Sequence, residues 1–209
     1  MPIRYIQEKW KLGNKQELPI ELKGLNRNEM YGLFAKLGYK VGCEVGVWTG
    51  KNAVQMFEHI PGLKLFLVDP YKDYARARKK RGDNRLFRRV KHRAHRRTRG
   101  KHRQFIEMFS EDAVRKFDDE SLDFVYIDGN HSYDYVMLDI ILWERKVKKG
   151  GIISGHDYYN SGKVKVRVKD AVNDYIRSHS INPWYITDIK SEATIVKRNH
   201  RRSWFWVKE

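Results

Sequence analysis

Short apolar runs recur along this chain, and most of them close on a polar residue. "YKVGCEVGV" (39–47), "LKLFLVDP" (63–70), "RQFIEMFS" (103–110), "LDFVYIDG" (122–129) and "GIISGHD" (151–157) have the length and composition of buried strands. "WYITDI" (184–189) and "RSWFWVKE" (202–209) add two more, seven in all. The segments between them carry helical spacing. "NRNEMYGLFAKLG" (26–38) predicts a helix with Asn26 as N-cap and Gly38 at its end. "GKNAVQMFEHI" (50–60) predicts a helix stopped by Pro61-Gly62, and "SEDAVRKF" (110–117) a short one capped by Ser110. Val136, Ile140, Trp143 and Val147 predict an amphipathic helix capped by Ser132 and ended by Gly150-Gly151. "VKDAVNDYIRSH" (168–179) predicts the last. Residues 1–24 show no period, which leaves a cap, an arm or an oligomer contact open. The organisation read from this pattern is an arm over 1–24 and a single domain over 25–209.

Strands that alternate with helices predict an α/β fold, a parallel sheet covered on both faces. In open sheets of this kind ligands sit beyond the carboxyl ends of the strands, where the strand order reverses. Glu44 to Gly46, Asp69, Ser110, Asp128 and His156-Asp157 each fall at such an end. Five polar strand tips are expected to converge on one cleft.

Composition narrows the picture. A domain of 209 residues buries enough surface to need no staples. The one cysteine, Cys43, excludes an internal disulfide and suggests a reducing compartment. No apolar run reaches the ~18 residues of a membrane span, and "MPIRYIQEKWKLG" lacks a signal-peptide core, so a cytoplasmic location is expected. The net charge of +17 is concentrated in one block. From Tyr74 to Arg103 there are 15 Lys and Arg against one acid, Asp83, a net +14 that leaves +3 for the rest. This block, read as a basic helical insert broken near Gly82 and Gly100, suggests an anionic partner or a solvated helix face.

The turn "EVGVWTG" places Gly46 and Gly50 where a tight turn brings backbone close to a ligand. It lacks the third glycine of a dinucleotide fingerprint. Asp69, at the tip of the next strand, can hold both hydroxyls of a ribose. Taken in order, "EVGVWTG", "LFLVDPY", "SLDFVYIDGNHSYDYVMLDIILW" and "KKGGIISGHDYY" resemble the motifs of class I S-adenosylmethionine-dependent methyltransferases. They most resemble the small methyltransferase-24-type domains, relatives of metal-dependent catechol and sugar O-methyltransferases. The likeness runs from about Gly38 to "SWFWVK" and is weakest in the basic block. It implies a Rossmann-like, seven-stranded, mostly parallel sheet whose last strand is antiparallel. It also implies S-adenosylmethionine as cofactor, with Glu44 facing the methionine end and Gly46, Val47, Trp48 and Gly50 alongside. Asn52 would lie near the carboxylate, Asp69 and Tyr71 at the ribose, Ser110 and Glu111 at the adenine, and Asp128 close by.

Methyl transfer to oxygen needs a hydroxyl that loses its proton, and a divalent cation or a general base can arrange this. By the resemblance, Asp128, His156 and Asp157 occupy the metal positions for Mg or Mn, and His131 that of the catalytic base. The histidine at 156 departs from the commoner acidic or amide pattern. A His near its unperturbed pKa of about 6.5 suits proton transfer. The expected acceptor is a hydroxyl of a sugar, glycan or related small molecule. The alternative is a nucleic-acid (RNA) methyltransferase or RNA-binding protein that uses the basic block. "NPWY" (182–185) resembles an amino-methyltransferase motif, but it stands at the wrong strand and reads as a turn entering "WYITDI".

Overall fold

The protein is described by a computed structural model covering residues 2–13, 16–72, 85–162, 166–191 and 201–209. In chain order its elements are α1 (Pro2–Trp10), β1 (Ile20–Leu22), α2 (Arg27–Lys36), β2 (Val41–Val45), α3 (Lys51–His59) and β3 (Lys64–Val68). There follow α4 (Arg85–Arg97), β4 (Arg103–Ile106), α5 (Ser110–Ala113), β5 (Leu122–Ile127), α6 (Tyr133–Glu144) and β6 (Val147–Gly155). A small hairpin of β7 (Asn160–Ser161) and β8 (Val166–Arg167) precedes α7 (Val168–Ser178), β9 (Trp184–Thr187) and β10 (Trp204–Val207).

One sheet holds eight strands in the order β1–β9–β10–β6–β5–β2–β3–β4. The expected α/β, mostly parallel sheet is present, with β10 antiparallel to both of its neighbours. The count is eight rather than seven because residues 20–22 form β1, parallel to β9. Its three residues are too short to show a period, and the partner that makes them a strand lies more than 160 positions away. The residues before 25 also form α1, and Ile6 and Leu22 are fully buried in the main body.

Alternation along the central strands divides the core into two layers. Val125 and Ile127 of β5 face α6 and α7 beside Ile140, Trp143 and Val172. Phe124 and Tyr126 face α2 and α3 beside Tyr31, Phe34 and Met56. β10 spans both layers, with Trp204 and Trp206 on one face and Phe205 on the other. Asn26 caps α2 as expected, and Glu29 completes a capping box: Glu29 N donates to Asn26 Oδ1, and Asn26 N to Glu29 Oε2. Other boundaries moved. The helix expected to reach Val147 ends at Glu144, and Val147 opens β6 opposite Leu122. Gly150-Gly151 therefore sits within β6, at an irregularity that shifts the register against β5, and not at a helix end. Ser110 opens α5 one position inside the N-cap, which is Phe109. Ser132 is the N-cap residue of α6 as expected, but its hydroxyl accepts no bond from the helix and donates to Asn130 Oδ1. In the basic block, 85–97 is helical and Gly100 lies just beyond with φ +74, while Gly82 falls outside the described residues. "NPWY" leads into β9 as a turn.

The chain moves outward from β2 to β3 and β4, then returns to place β5 on the other side of β2. That reversal opens a crevice above β2 and β5. Backbone bonds tie its rim: Asp128 N donates to Val45 O at 2.7 Å, and Gly46 N to Val68 O at 2.8 Å. Gly46 makes this closeness feasible. It sits at φ +93, and a Cβ there would lie 2.2 Å from the Asp128 carbonyl oxygen. Gly46→Ala is expected to destabilise the fold by at least about 2 kcal/mol, since both the backbone angle and the contact oppose a methyl group. Urea unfolding would measure it, and an unchanged midpoint would show that the rim can give way.

Candidate active site

The crevice is a cleft of about 700 Å³, the size of a small-molecule site. The tips of β2, β3 and β5 supply Glu44, Gly46, Val47, Trp48, Asp69 and Asp128 to its wall, with Asn52 of α3, Ser110 of α5 and His131 before α6. These expected residues come together. Gly50, Tyr71, Glu111, His156 and Asp157 do not line the same wall. Gly50 acts behind it: at φ +72 it lets the Ala94 backbone of α4 approach to within 2.9 Å of where a Cβ would stand. Tyr71 turns its ring into the core, where its hydroxyl finds no partner.

Glu44 sets the character of the cleft. It lies in the middle of the sheet with no solvent exposure. Asn52 Nδ2 donates to its Oε1 at 2.9 Å, and Tyr31 donates to Asn52 Oδ1 at 2.7 Å, so the amide is held in one orientation. Among the described residues Glu44 Oε2 has no partner. Burial pushes this carboxyl up to about 8, with the Asn52 hydrogen bond acting against the shift. A desolvated acceptor without a donor is costly, and an ammonium group in the cleft would satisfy it. The residues present therefore fit the amino-acid end of S-adenosylmethionine.

Asp69, at the tip of β3, also braces the loop beside it. Its Oδ2 accepts from Val47 N at 3.0 Å and Trp48 N at 2.8 Å, and its Oδ1 from Tyr71 N at 2.7 Å. Burial raises its pKa in spite of these three bonds. A carboxylate has about four acceptor sites, so one remains for a ligand hydroxyl. The bonds hold the β2 loop, where Trp48 takes a left-handed φ of +49 and leaves its indole half exposed. Ser110 accepts from Trp143 Nε1 at 2.7 Å and is hydrogen-bonded to Asp139. Burial pushes that Asp139 up to about 7, the Ser110 bond opposing.

On the lip of the cleft, His131 Nε2 stands 3.3 Å from Asp128 Oδ1 and 3.3 Å from Asp157 Oδ2. Burial disfavours its charged form, but the hydrogen bond and charge of Asp128, with the charge of Asp157, outweigh this and raise its pKa. Asp157 is held below the usual carboxylate range: burial is overcome by His156, His131 and Arg201. Ligand atoms of Asp128, His131 and Asp157 all lie within 4.8 Å of one another. Of the three residues expected to hold a metal, Asp128 and Asp157 fall in this group and His156 does not. His156 stands behind Asp157, with Nδ1 3.2 Å from its Oδ1, and His131 takes its place in the cluster.

Sequence reading missed Arg27, Asn130, Lys51, Lys72 and Phe87 on the wall. Arg27 is the most telling, a half-buried guanidinium beside Tyr126 with its Nε unpartnered. An arginine in the first turn of a helix gives no signal in sequence; the sheet brings it to the cleft.

The fold and the cleft define a class I S-adenosylmethionine-dependent methyltransferase. The family model for a methyltransferase domain, of methyltransferase-24 type, matches residues 43–158, more than half of the chain. The chain belongs to that family. Among solved structures it is similar to an O-methyltransferase family protein from Burkholderia thailandensis (TM-score 0.61, 12% identity, 87% of this chain and 55% of that one). It is similar to the O-methyltransferase TomG from Streptomyces achromogenes, involved in tomaymycin synthesis and solved with SAM (0.59, 11%, 98% and 86%). A third is an O-methyltransferase from Bacillus cereus in complex with SAH (0.56, 13%, 99% and 89%). The chain spans only about half the length of the first of these. At such identities the likeness is one of fold. No curated protein sequence matches. No helix among the described residues is long and apolar enough to cross a membrane.

Glu44→Gln separates the fold from the site. The folded carboxyl keeps its proton up to about pH 8, while an unfolded one loses it near 4.5, so the empty protein loses stability as pH rises between these values. The amide removes that loss. At pH 8.5 the variant's empty form is expected to melt about 3 °C or more higher, while binding S-adenosylmethionine at least about tenfold more weakly. Scanning calorimetry and titration calorimetry would read the two effects. A lower melting temperature with unchanged affinity would remove Glu44 from the ligand site.

Proposed function

We propose that this protein is an S-adenosylmethionine-dependent O-methyltransferase acting on a hydroxyl of a sugar, glycan or related small molecule. The observation that carries the reading is the single imidazole nitrogen of His131 set between two carboxylates, on the lip of a cleft whose buried end holds Glu44. The surroundings of that nitrogen are polar: Asn130 beside it, Arg201 3.3 Å from Asp157, and Tyr159 under the Arg201 guanidinium. Such a lip suits a hydroxylated acceptor better than a flat apolar one.

When bound, S-adenosylmethionine supplies an electrophilic methyl group on a sulfonium centre. Glu44 holds the ammonium end, oriented by Asn52, and Asp69 keeps one acceptor site for a ribose hydroxyl. His131 takes the proton of the acceptor hydroxyl. Asp128 and Asp157 stabilise the imidazolium that results, and such a base contributes about 10² to 10⁴ in rate. The same three side chains offer two oxygens and one nitrogen to a divalent cation, a set that suits Mn or Mg. A cation there would supply acidity to the acceptor oxygen. Nε2 carries the hydrogen that Asp128 accepts, so proton transfer falls to Nδ1; a cation in place of that hydrogen would weaken Nδ1 as a base, and His131 serves one purpose or the other.

His131→Ala is expected to lower kcat by about 10² or more on a glycoside acceptor and to leave cofactor affinity within about twofold. Retained turnover would sink the assignment. Chelation decides between the two uses: a rate unchanged in EDTA leaves His131 as base and discards the cation.

As a base His131 must be neutral, so the rate is expected to rise with pH through a midpoint above the ordinary 6.5. Asp157→Asn removes one of the charges that raise this pKa and is expected to move the midpoint down. A midpoint that does not move would mean that another group titrates.

A further inference from the structure

Helix α4 carries a second feature that methyl transfer does not use. Val90 and Ala94 pack one face of the helix against the body, and Phe87 reaches the wall of the cleft. The opposite face presents Arg85, Arg88, Arg89, His92, Arg93 and Arg96, all exposed and lining one shallow groove. This is a continuous stripe at three- and four-residue spacing. A solvated helix face ordinarily mixes signs, because like charges three or four residues apart destabilise a helix. The 13 residues of α4 contain no acid at all. On the flank of the helix Lys91 lies 2.6 Å and His95 3.9 Å from Glu107. Among the described residues, Arg88, Arg89, Arg93 and Arg96 make no ion pair.

We propose that this face is a docking surface for a nucleic acid, held through its phosphates. The dimensions agree. From Arg85 to Arg96 the helix rises about 16 Å. One strand of a duplex carries about five phosphates over that length, at about 3.4 Å each. All the permanent cations of the stripe are arginines, whose planar fork accepts a phosphate with two bonds at once. The face carries no aromatic ring, so bases are not stacked and sequence is not read. A lipid surface fits less well, because the apolar face that would enter it is packed against the domain.

The stripe continues around the end of the helix. Arg97 follows Arg96 and donates to Thr49 O at 2.7 Å. With Arg27 and Lys51 it lines a second depression, which shares Arg27, Lys51 and Asn52 with the cofactor cleft. A cationic track thus leads from the outer face of α4 to the cleft. The docking surface is independent of which hydroxyl the enzyme methylates.

Fluorescence anisotropy of the full chain with a labelled 20-base-pair mixed-sequence RNA duplex tests this. A Kd of about 1–100 μM is expected at 150 mM salt, with log Kobs falling against log salt at a slope of about −4. The triple substitution Arg89→Glu, Arg93→Glu, Arg96→Glu is expected to weaken binding at least about tenfold and to flatten the slope by about 3. Its melting temperature should stay the same or rise, because opposite charges then face each other along the helix. Its affinity for S-adenosylmethionine should not change, which separates docking from the site. No binding at 150 mM salt, or a triple variant that binds RNA as the parent does, would overturn the proposal. So would binding of phosphatidylserine vesicles or heparin in preference to the duplex.

Discussion

A carboxylate shut away from water, with one oxygen satisfied and the other not, is the constraint around which this protein is arranged. Glu44 sits in the centre of an eight-stranded sheet, where a strand would ordinarily carry an apolar residue. Asn52 and Tyr31 hold one oxygen in place, which fixes α2 and α3 relative to β2. The other oxygen is buried and has no donor among the described residues. The fold instead retains a buried acid whose pKa is raised to about 8 by its surroundings.

The rest of the site follows from the reversal of strand order beside β2. Parallel strands that diverge at that point expose their tips, and the backbone there is bent to serve the side chains. Trp48, Tyr71 and Asp157 all take left-handed φ angles just beyond a strand end. Non-glycine residues seldom adopt them, and they persist where surrounding bonds over-determine the backbone. Those bonds are visible: Asp69 gathers the amides of Val47, Trp48 and Tyr71, and Asp157 is held by His131, His156 and Arg201.

Charge is separated on the same scale. Glu44 and Asp69 stand at the cleft, where burial raises the pKa of each, and arginines gather on the outer face of α4, where solvent screens them. The two regions meet at Arg97, Lys51 and Arg27, so the helix that lines the cofactor wall through Phe87 also carries the cationic face. One element thus lines the cleft on one side and presents a cationic face on the other.

The sequence by itself determined the central strands, the polar residue at each tip and the order of the motifs. These are local properties: apolar runs of strand length, glycine where the backbone must turn, an acid or histidine one step beyond. It also determined that Asp128 and His131 belong together, since they are three residues apart on one turn. Tertiary structure decided what depends on distant partners. Residues 20–22 are a strand only because β9 lies alongside, and Gly150-Gly151 lies within β6 and not at a helix end because β5 offers a ladder. Which histidine joins Asp128 and Asp157 was also decided there. His156 is adjacent to Asp157 in sequence, but the backbone at the end of β6 turns its ring behind the carboxylate, and His131 reaches across from the neighbouring strand tip. Sequence spacing fixes which residues are near; the direction in which each side chain points is set by the sheet that carries it.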